Sequence, residues 1–220
     1  MQKQSVFLFI FIALGLIIIS AFAISTIKEK PIKTLDEKNI ITKPIVYLDD
    51  PVLGNPEAKI SVIEFGDFKC SACEKVNPVL KKILKTYPNQ VKLIWKGISG
   101  HDGSENALIT SYCAQEQGQF DKYHNLLFSN QDQLDQQNIY LDLAQKINLD
   151  LKKFNDCLIN NRYSDLIQKN IIQAQELRVD ATPYFFIGQK KFKGAISFEQ
   201  FQMIINEEIR NIIFYAKFPN

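Results

Sequence analysis

The sequence predicts an α/β fold in which a central mixed sheet is flanked by helices, and three observations point to it. A β-branched strand pattern, an amphipathic helix and a second strand pattern follow one another between Lys59 and Lys96. Helical patterns then fill residues 104–177, and a hairpin pattern with a last helix follows at 184–214. Because strands joined by a helix are usually parallel and the strands of a hairpin are antiparallel, the sheet should be mixed.

The composition narrows the classes of protein to which the chain can belong. Its 220 residues include 26 basic and 24 acidic side chains, so no strong basic field is available and we expect no nucleic-acid partner. Four cysteines are too few for a small disulfide-rich protein, and the chain is long enough to bury a core without them. The cysteines are therefore not needed to replace a core.

An apolar leader opens the chain. Residues 6–24 form a nearly unbroken apolar run that would span roughly 28 Å as a helix, about the hydrocarbon thickness of a bilayer. We predict that residues 1–25 are either a cleaved signal peptide or an uncleaved transmembrane signal anchor. Ala21 and Ala23 would supply the small residues of a cleavage site. Residues 26–44 are polar and without periodicity, and we expect a linker there.

The first half of the folded part contains three predicted strands and one helix. Ile45–Leu48 is predicted to be a short strand, and the β-branched run Lys59–Phe65 a buried one. Gln90–Lys96 is again strand-like. Between these last two, apolar residues at helical spacing begin after Ser71, and Pro78 is expected to kink the helix. The apolar stripe consists of Val76, Val79, Leu80, Ile83 and Leu84.

The second half begins with a run of predicted helices and ends in a hairpin and a further helix. The helices are predicted at 104–118, 120–128, 138–147, 151–160 and 163–177. Tyr184–Ile187 and Lys191–Lys193 flank a glycine-containing turn, which is typical of a β-hairpin. Ser197 is expected to cap a last helix that runs to about Phe214, with Gln200 completing a capping box.

The motif Cys70-Ser71-Ala72-Cys73 lies where the buried strand pattern ends and the helix begins. Unpaired backbone N–H groups and the helix dipole favour a negative charge there, so the thiol of Cys70 should ionise readily and act as nucleophile and leaving group. Cys73, one turn later, could close a disulfide with it. A lone pair at this spacing can also be half of a zinc site, a copper or haem ligand pair, or a structural disulfide. The position at a strand–helix junction favours redox chemistry.

The other two cysteines, Cys113 and Cys157, stand singly in two different predicted helices. Structural zinc usually needs a second close pair, and no His directly follows Cys73, so zinc and covalent haem are disfavoured. Cys113 and Cys157 could form a second redox pair or a structural disulfide, or they could be two buried small apolar side chains. In an exported protein the structural disulfide is favoured.

Several separated segments resemble the DsbA-like branch of the thioredoxin superfamily, from about Pro51 to Phe214. VIEFGDFKCSAC resembles the strand and CxxC motif of that branch, and Pro78 matches the kinking proline of its helix. SENALITSYCAQEQGQFDKYHNLLF resembles its helical insertion, and ATPYFFIG resembles its cis-proline segment. The resemblance implies a thioredoxin-like fold over residues 45–220, with a helical insertion at about 101–178.

The resemblance also implies roles for five residues. Cys70 would be the attacking and leaving thiol, and Cys73 the more buried resolving thiol. Thr182 and Pro183 would be joined by a cis peptide bond that faces the disulfide, with the backbone of Thr182 free to pair with an extended substrate. Glu64 would be the buried acid that relays a proton to Cys73. A surface charge on an edge strand is the alternative for Glu64, although the residues around it are apolar.

The dipeptide between the two cysteines departs from the family pattern. Many members have Pro after the first cysteine, and strongly oxidising members have His before the second, where this chain has Ser71 and Ala72. Lys69 is the only cation close in sequence that could help a thiolate. We therefore expect a less acidic thiol and a less oxidising pair than in the most oxidising members.

The expected function is that of an exported thiol–disulfide oxidoreductase that promotes disulfide formation in exported cysteine-containing proteins. By resemblance it would work in a bacterial envelope or periplasm, with a membrane redox partner that restores its disulfide and without a cofactor. The short segment after the leader leaves no room for a dimerisation domain, so a monomer is expected. A reductase or isomerase with the reverse electron flow is one alternative. A copper-binding module is another, although copper-handling relatives usually add a distal His and the last one here is His124.

Overall fold

The computed structural model describes residues 41–218, which contain five strands and seven α-helices. The predicted leader at 1–25 and residues 26–40 of the predicted linker lie outside this range. Within it, none of the helices has the length and apolar character that crossing a bilayer requires. The strands are β1 (Val52–Gly54), β2 (Ile60–Gly66), β3 (Val91–Gly97), β4 (Tyr184–Ile187) and β5 (Lys190–Lys193).

The five strands form one mixed sheet in the order β1-β3-β2-β4-β5. β2 and β3 are parallel, as a strand–helix–strand unit requires, and the other three pairings are antiparallel. β2 is therefore the central strand, and Glu64 on β2 lies beside Trp95 on β3 and Phe185 on β4. The predicted mixed sheet is confirmed, and its central strand leads directly to the CxxC motif.

The strand predicted at Ile45–Leu48 is absent, and this expectation was wrong. The segment belongs to a loop that Asp50 closes, because its carboxylate accepts the N–H of Tyr47 at 2.7 Å and its own N–H donates to the carbonyl of Tyr47 at 3.1 Å. From inside the protein, the ammonium of Lys96 binds Asp50 at 2.5 Å and the carbonyl of Ile45 at 2.8 Å. A buried ion pair thus decides the conformation of a segment whose β-branched pattern alone suggests a strand.

Each predicted helix is present, and its ends lie within about three residues of the expected ones. The helices are α1 (Ser71–Thr86), α2 (Ser104–Gln115), α3 (Phe120–Ser129), α4 (Ile139–Lys146), α5 (Leu151–Ile159), α6 (Ser164–Glu176) and α7 (Phe198–Lys217). A short 3-10 turn at Gln131–Gln133 follows α3. The capping box predicted for the last helix is confirmed, since Ser197 and Gln200 exchange both side-chain-to-backbone hydrogen bonds.

Two hydrophobic cores lie on opposite faces of the sheet. Alternate residues of a strand point to opposite faces, and on β2 Val62 belongs to the larger core, which includes residues of α1 and of the helical insertion. Phe65 belongs to the smaller core, beside Ala174 of α6. Glu64, two residues after Val62, therefore lies on the face that α1 covers, which is the face of the two CxxC cysteines.

The insertion is cross-linked by a disulfide between Cys113 on α2 and Cys157 on α5. Their Cα atoms are 5.7 Å apart and they are separated by 44 residues in the sequence. Both residues are fully buried, so the bond lies inside the packed insertion. The structural disulfide favoured by the sequence is the arrangement that the structure contains.

Removal of this cross-link should destabilise the domain. Closing a loop of 44 residues limits the unfolded chain, and its loss is expected to lower the free energy of unfolding by up to about 4 kcal/mol. Urea denaturation of Cys113→Ala, Cys157→Ala and the double variant measures this loss. Each single variant already breaks the bond, so all three should lose a similar amount. Additive losses would instead mean that the two thiols act as separate core side chains.

Candidate active site

The CxxC motif stands at the junction of β2 and α1. β2 ends at Gly66, a turn follows in which the N–H of Cys70 donates to the carbonyl of Asp67 at 3.1 Å, and α1 begins with Cys70 as its N-cap residue. Cys70 and Cys73 are both free thiols, so the structure shows the reduced form of the pair. Only 7% of Cys70 is exposed and Cys73 is completely buried, so substrate can reach the first sulfur alone.

The surroundings of Cys70 favour its thiolate. A hydrogen bond from the Cys73 thiol is the main reason that the pKa of Cys70 falls to about 5. A hydrogen bond with the side chain of Thr182 and the backbone N–H groups of Ala72 and Cys73 act in the same direction, whereas burial opposes them. These N–H groups belong to the first turn of α1, where helix donors have no intrahelical partner. Cys70 is therefore suited to be both nucleophile and leaving group.

The surroundings of Cys73 have the opposite effect. Burial raises the pKa of the Cys73 thiol, and its hydrogen bond to Cys70 and the charge of Glu64 raise it further. Cys73 therefore keeps its proton at neutral pH, whereas Cys70 loses its own. The pair is divided into one anionic sulfur near the surface and one fully buried protonated sulfur, which agrees with the roles that the resemblance implies for them.

Glu64 lies on the central strand and is 1% exposed, so the alternative of a surface charge on an edge strand is wrong. Its Oε2 atom has no hydrogen-bond partner among residues 41–218. Burial, together with the negative charge of Cys70, raises the pKa of Glu64 to about 8. At neutral pH the side chain is therefore a protonated carboxyl group, able to give up a proton inside the core.

Thr182 and Pro183 complete the set of predicted site residues. Their peptide bond is cis, as the resemblance implies, and Pro183 is buried while Thr182 is partly exposed. In the thiol form, Cys70 Sγ donates to the carbonyl oxygen of Thr182 at 3.2 Å. The structure thus brings together Cys70, Cys73, Glu64 and this segment, which is more than a hundred residues away in the sequence.

The turn before Cys70 is fixed by a buried carboxylate that the sequence analysis did not single out. Asp67 is fully buried, and its Oδ1 atom accepts the N–H of Lys69 at 2.8 Å. Its Oδ2 atom accepts the N–H groups of Gly100 at 2.7 Å and His101 at 2.9 Å, and it lies 2.9 Å from the His101 ring. These contacts tie the turn to the segment after β3. The sequence gives a single weak signal for them, which is the presence of a charged residue, Asp67, directly after an apolar strand.

Two residues of the insertion also contact the catalytic turn. Lys69, which the sequence offered as a possible aid to the thiolate, binds the carboxylate of Asp135 at 2.6 Å. Gln131 donates from Nε2 to the carbonyl oxygens of Phe68 at 2.7 Å and Cys70 at 3.1 Å. The sequence gives no signal for the role of Gln131, because more than sixty residues separate it from the motif and glutamine is common on surfaces.

His124 packs behind the site as a core residue. Its ring lies 4.8 Å from that of Trp95, 4.9 Å from Phe128 and 5.4 Å from Phe68, measured between ring centroids. Burial lowers the pKa of His124 to about 3, so the ring is neutral. Residues 41–218 contain no group of three or more His, Cys, Asp or Glu side chains that could hold a metal ion.

Comparisons with known proteins agree with this geometry. A family model described as thioredoxin matches residues 47–207. The chain is 30% identical over 153 residues to the Na(+)/H(+) antiporter NhaA 3 of Salinispora tropica, a match covering 68% of this chain and 23% of the antiporter. It is 27% identical over 173 residues to the disulfide bond formation protein D of Bacillus subtilis, covering 73% and 77% of the two chains. The chain thus spans about a quarter of the length of the antiporter that it matches.

Solved structures show the same fold. BdbD of Bacillus subtilis in its oxidised form has a TM-score of 0.67 and 24% identity, with 74% of this chain and 94% of BdbD covered. The thiol–disulfide exchange protein alpha-DsbA2 of Wolbachia pipientis has a TM-score of 0.67 and 21% identity, with 73% and 87% covered. Because the family model matches well over half of the sequence, the chain belongs to the thioredoxin family, and its fold is that of the DsbA-like proteins.

Proposed function

We propose that this chain is an exported thiol–disulfide oxidoreductase that transfers the Cys70–Cys73 disulfide to cysteine-containing exported proteins. One observation carries the proposal. The Cys70 thiol, the more accessible of the two, has a pKa lowered to about 5, mainly by a hydrogen bond from Cys73 and also by the Thr182 side chain and the backbone N–H groups of the first turn of α1, while its partner is buried and protonated. One ionised thiol and one protonated thiol suit a pair in which the first sulfur reacts with the substrate and the second resolves the mixed disulfide.

The exchange requires two displacements. A substrate thiolate attacks Cys70 Sγ, a bond forms between the substrate and Cys70, and the Cys70–Cys73 bond breaks with its electron pair left on Cys73. Cys73 takes up a proton, for which the protonated carboxyl of Glu64 is the buried donor. A second substrate thiolate then attacks the substrate sulfur of the mixed disulfide and releases Cys70 as a thiolate. The substrate loses two electrons, and the protein pair gains them.

The acidity of Cys70 supports the oxidising direction. A thiolate that is stabilised at neutral pH favours the reduced form of the pair, and thereby makes its disulfide the stronger oxidant. With a pKa near 5, the stabilisation at pH 7 amounts to about 60 mV relative to an un-ionised thiol. This pKa lies between the values of about 3.5 for DsbA and about 7 for thioredoxin. An oxidase weaker than DsbA agrees with the absence of a His before the second cysteine.

Location and partners follow from the same proposal. The apolar leader at 6–24 would bring the domain to the bacterial envelope or periplasm, either free after cleavage or held at the inner membrane. The disulfide bond formation protein D of Bacillus subtilis is the relative whose name supports disulfide formation. Once reduced, the pair needs a membrane redox partner to withdraw its electrons. We propose a monomer acting on extended cysteine-containing segments.

The reduction potential of the Cys70–Cys73 pair tests the direction of electron flow. We expect a value of roughly −120 to −200 mV for the full chain equilibrated with glutathione buffers, because the Cys70 thiolate stabilises the reduced form. Mass spectrometry after thiol alkylation separates this pair from Cys113–Cys157, and Cys70→Ser is the control without a disulfide. A potential near −270 mV would indicate a reductase, whereas a pair that binds Cu(I) without ever forming a disulfide would indicate a metal-binding module.

The rate of Cys70 alkylation should depend on pH in a way that reports the thiolate. In the reduced protein we expect a midpoint near pH 5, because Cys70 has lost its proton above that value. Cys73→Ala removes the largest stabilising hydrogen bond and should raise the midpoint by about one unit or more. Iodoacetamide labelling with mass spectrometry measures both. A midpoint near pH 8 to 9 in the unchanged protein would contradict the assignment.

Substitution of Glu64 should slow the exchange at neutral pH. Glu64→Gln keeps the shape of the side chain but removes its acidic proton, and we expect the reduction of the disulfide by a peptide dithiol to slow by roughly ten-fold or more. The difference should shrink above a pH of about 8, where Glu64 itself loses its proton. Glu57→Gln, at an exposed position, is the control. Equal rates for both variants from pH 6 to 9 would exclude a role for Glu64.

A further inference from the structure

The 3-10 turn Gln131–Gln133 lies against the catalytic turn, and the side chain of Gln131 makes the contact. Its Nε2 atom is 2.7 Å from the carbonyl oxygen of Phe68 and 3.1 Å from that of Cys70. An amide group has two N–H donors, and both are used here. A single side chain of the insertion therefore binds two backbone carbonyls of the segment that presents the reactive sulfur.

The carbonyl of Cys70 is a sensitive point of the backbone. Cys70 is the N-cap residue of α1 with φ −81° and ψ 118°, and its carbonyl also accepts the N–H of Glu74 at 3.1 Å, the first hydrogen bond of the helix. Since the peptide unit is planar, the direction of this carbonyl fixes the direction of the next N–H and the entry of the chain into α1. The entry of the chain into α1 in turn decides whether the backbone N–H groups of Ala72 and Cys73 face the Cys70 sulfur.

We propose that Gln131 is a positioning residue, which fixes the carbonyl of Cys70 so that the backbone N–H groups of the first helical turn point at the Cys70 sulfur. The inference rests on the proposed function only in taking the Cys70 thiolate as the reacting group. The helical insertion would thus tune the reactivity of the thiol as well as covering the active-site face of the sheet.

Other contacts keep Gln131 in place independently of the catalytic turn. Leu134 is buried, and its carbonyl accepts the hydroxyl of Tyr140 at 3.0 Å, so the segment is anchored in the insertion. Asp135 adds an ion pair to Lys69, but its side chain is 75% exposed and an exposed pair contributes little. Gln131 therefore gives the insertion a direct hydrogen bond to the backbone of Cys70.

Two substitutions of Gln131 separate positioning from general stability. Gln131→Met keeps the length of the side chain but removes both donors, and it should raise the pH midpoint of Cys70 alkylation by about half a unit. Gln131→Glu replaces the donors with a negative charge that repels the two carbonyls and the thiolate, and it should raise the midpoint by about one unit or more. The charged and titratable groups around Cys70 are the same in both variants; they are Glu64, Cys73, the Lys69–Asp135 pair, and Asp67 with His101.

Gln136→Glu is the matched control, because Gln136 is exposed in the same segment and the substitution introduces the same charge. It should leave the midpoint within about 0.2 units of the unchanged protein, since a solvent-exposed charge is screened. The midpoint is measured on the reduced full chain, and thermal unfolding is followed in parallel. Alkylation of Cys70 does not require a substrate or electron transfer, so this test stands even if the protein proves to be a reductase.

A rise of the midpoint in Gln131→Met, larger in Gln131→Glu and absent in Gln136→Glu, is the result expected of a positioning residue. If both Gln131 variants fold and keep the unchanged midpoint, or if they lower only the temperature of unfolding, then Gln131 is merely structural and the inference is wrong. An equal rise in Gln131→Glu and Gln136→Glu, without one in Gln131→Met, would also overturn it. Should Gln131→Glu fail to fold, the uncharged Gln131→Met decides between these outcomes.

Discussion

The sulfur of Cys70 lies at the first turn of α1, where the backbone N–H groups have no partner within the helix, and the proposed exchange chemistry depends on the hydrogen bonds that these groups donate to the sulfur. A thiolate there receives hydrogen bonds from Cys73 and from the backbone, and they lower the pKa of Cys70 to about 5 in spite of its burial. Neither an imidazole nor a free lysine is needed. Lys69, the lysine next to Cys70 in the sequence, is bound to Asp135.

The surrounding elements can be understood as supports for that contact. β2 is the central strand of the sheet and delivers the motif from a position that is covered on both faces. Asp67 ties the catalytic turn to the segment after β3, and the insertion reaches the other side of the turn through Gln131. The cis-proline segment contacts the turn from a third direction, with the carbonyl of Thr182 against the Cys70 sulfur. The turn is therefore fixed from three separate parts of the chain.

The pKa values of the two neighbouring thiols shift in opposite directions because the two residues lie at different depths in the protein. Cys70 is at the end of the helix and meets donors, whereas Cys73 is one turn further in and meets apolar side chains and Glu64. Glu64 in turn keeps its proton because it has been removed from water next to a negative sulfur. In the proposed exchange, the proton that Cys73 needs when it leaves the disulfide would come from Glu64, whose pKa of about 8 lies close to neutral pH.

The sequence by itself determined most of the secondary structure, the order of its main elements and the candidate reactive pair, although it placed the first strand at Ile45–Leu48 and not at Val52–Gly54. Hydrophobic periodicity and turn residues are local properties, so the strands around the CxxC motif, the helices of the insertion and the capping box at Ser197 could be read from them. Tertiary structure decided what depends on contacts across the chain. It showed that Ile45–Leu48 is a loop held by the buried pair of Lys96 and Asp50, that Glu64 lies on a central strand, and that Cys113 meets Cys157. It also brought Gln131 to the catalytic turn from more than sixty residues away, because hydrogen bonds between distant segments leave no periodic trace in the sequence.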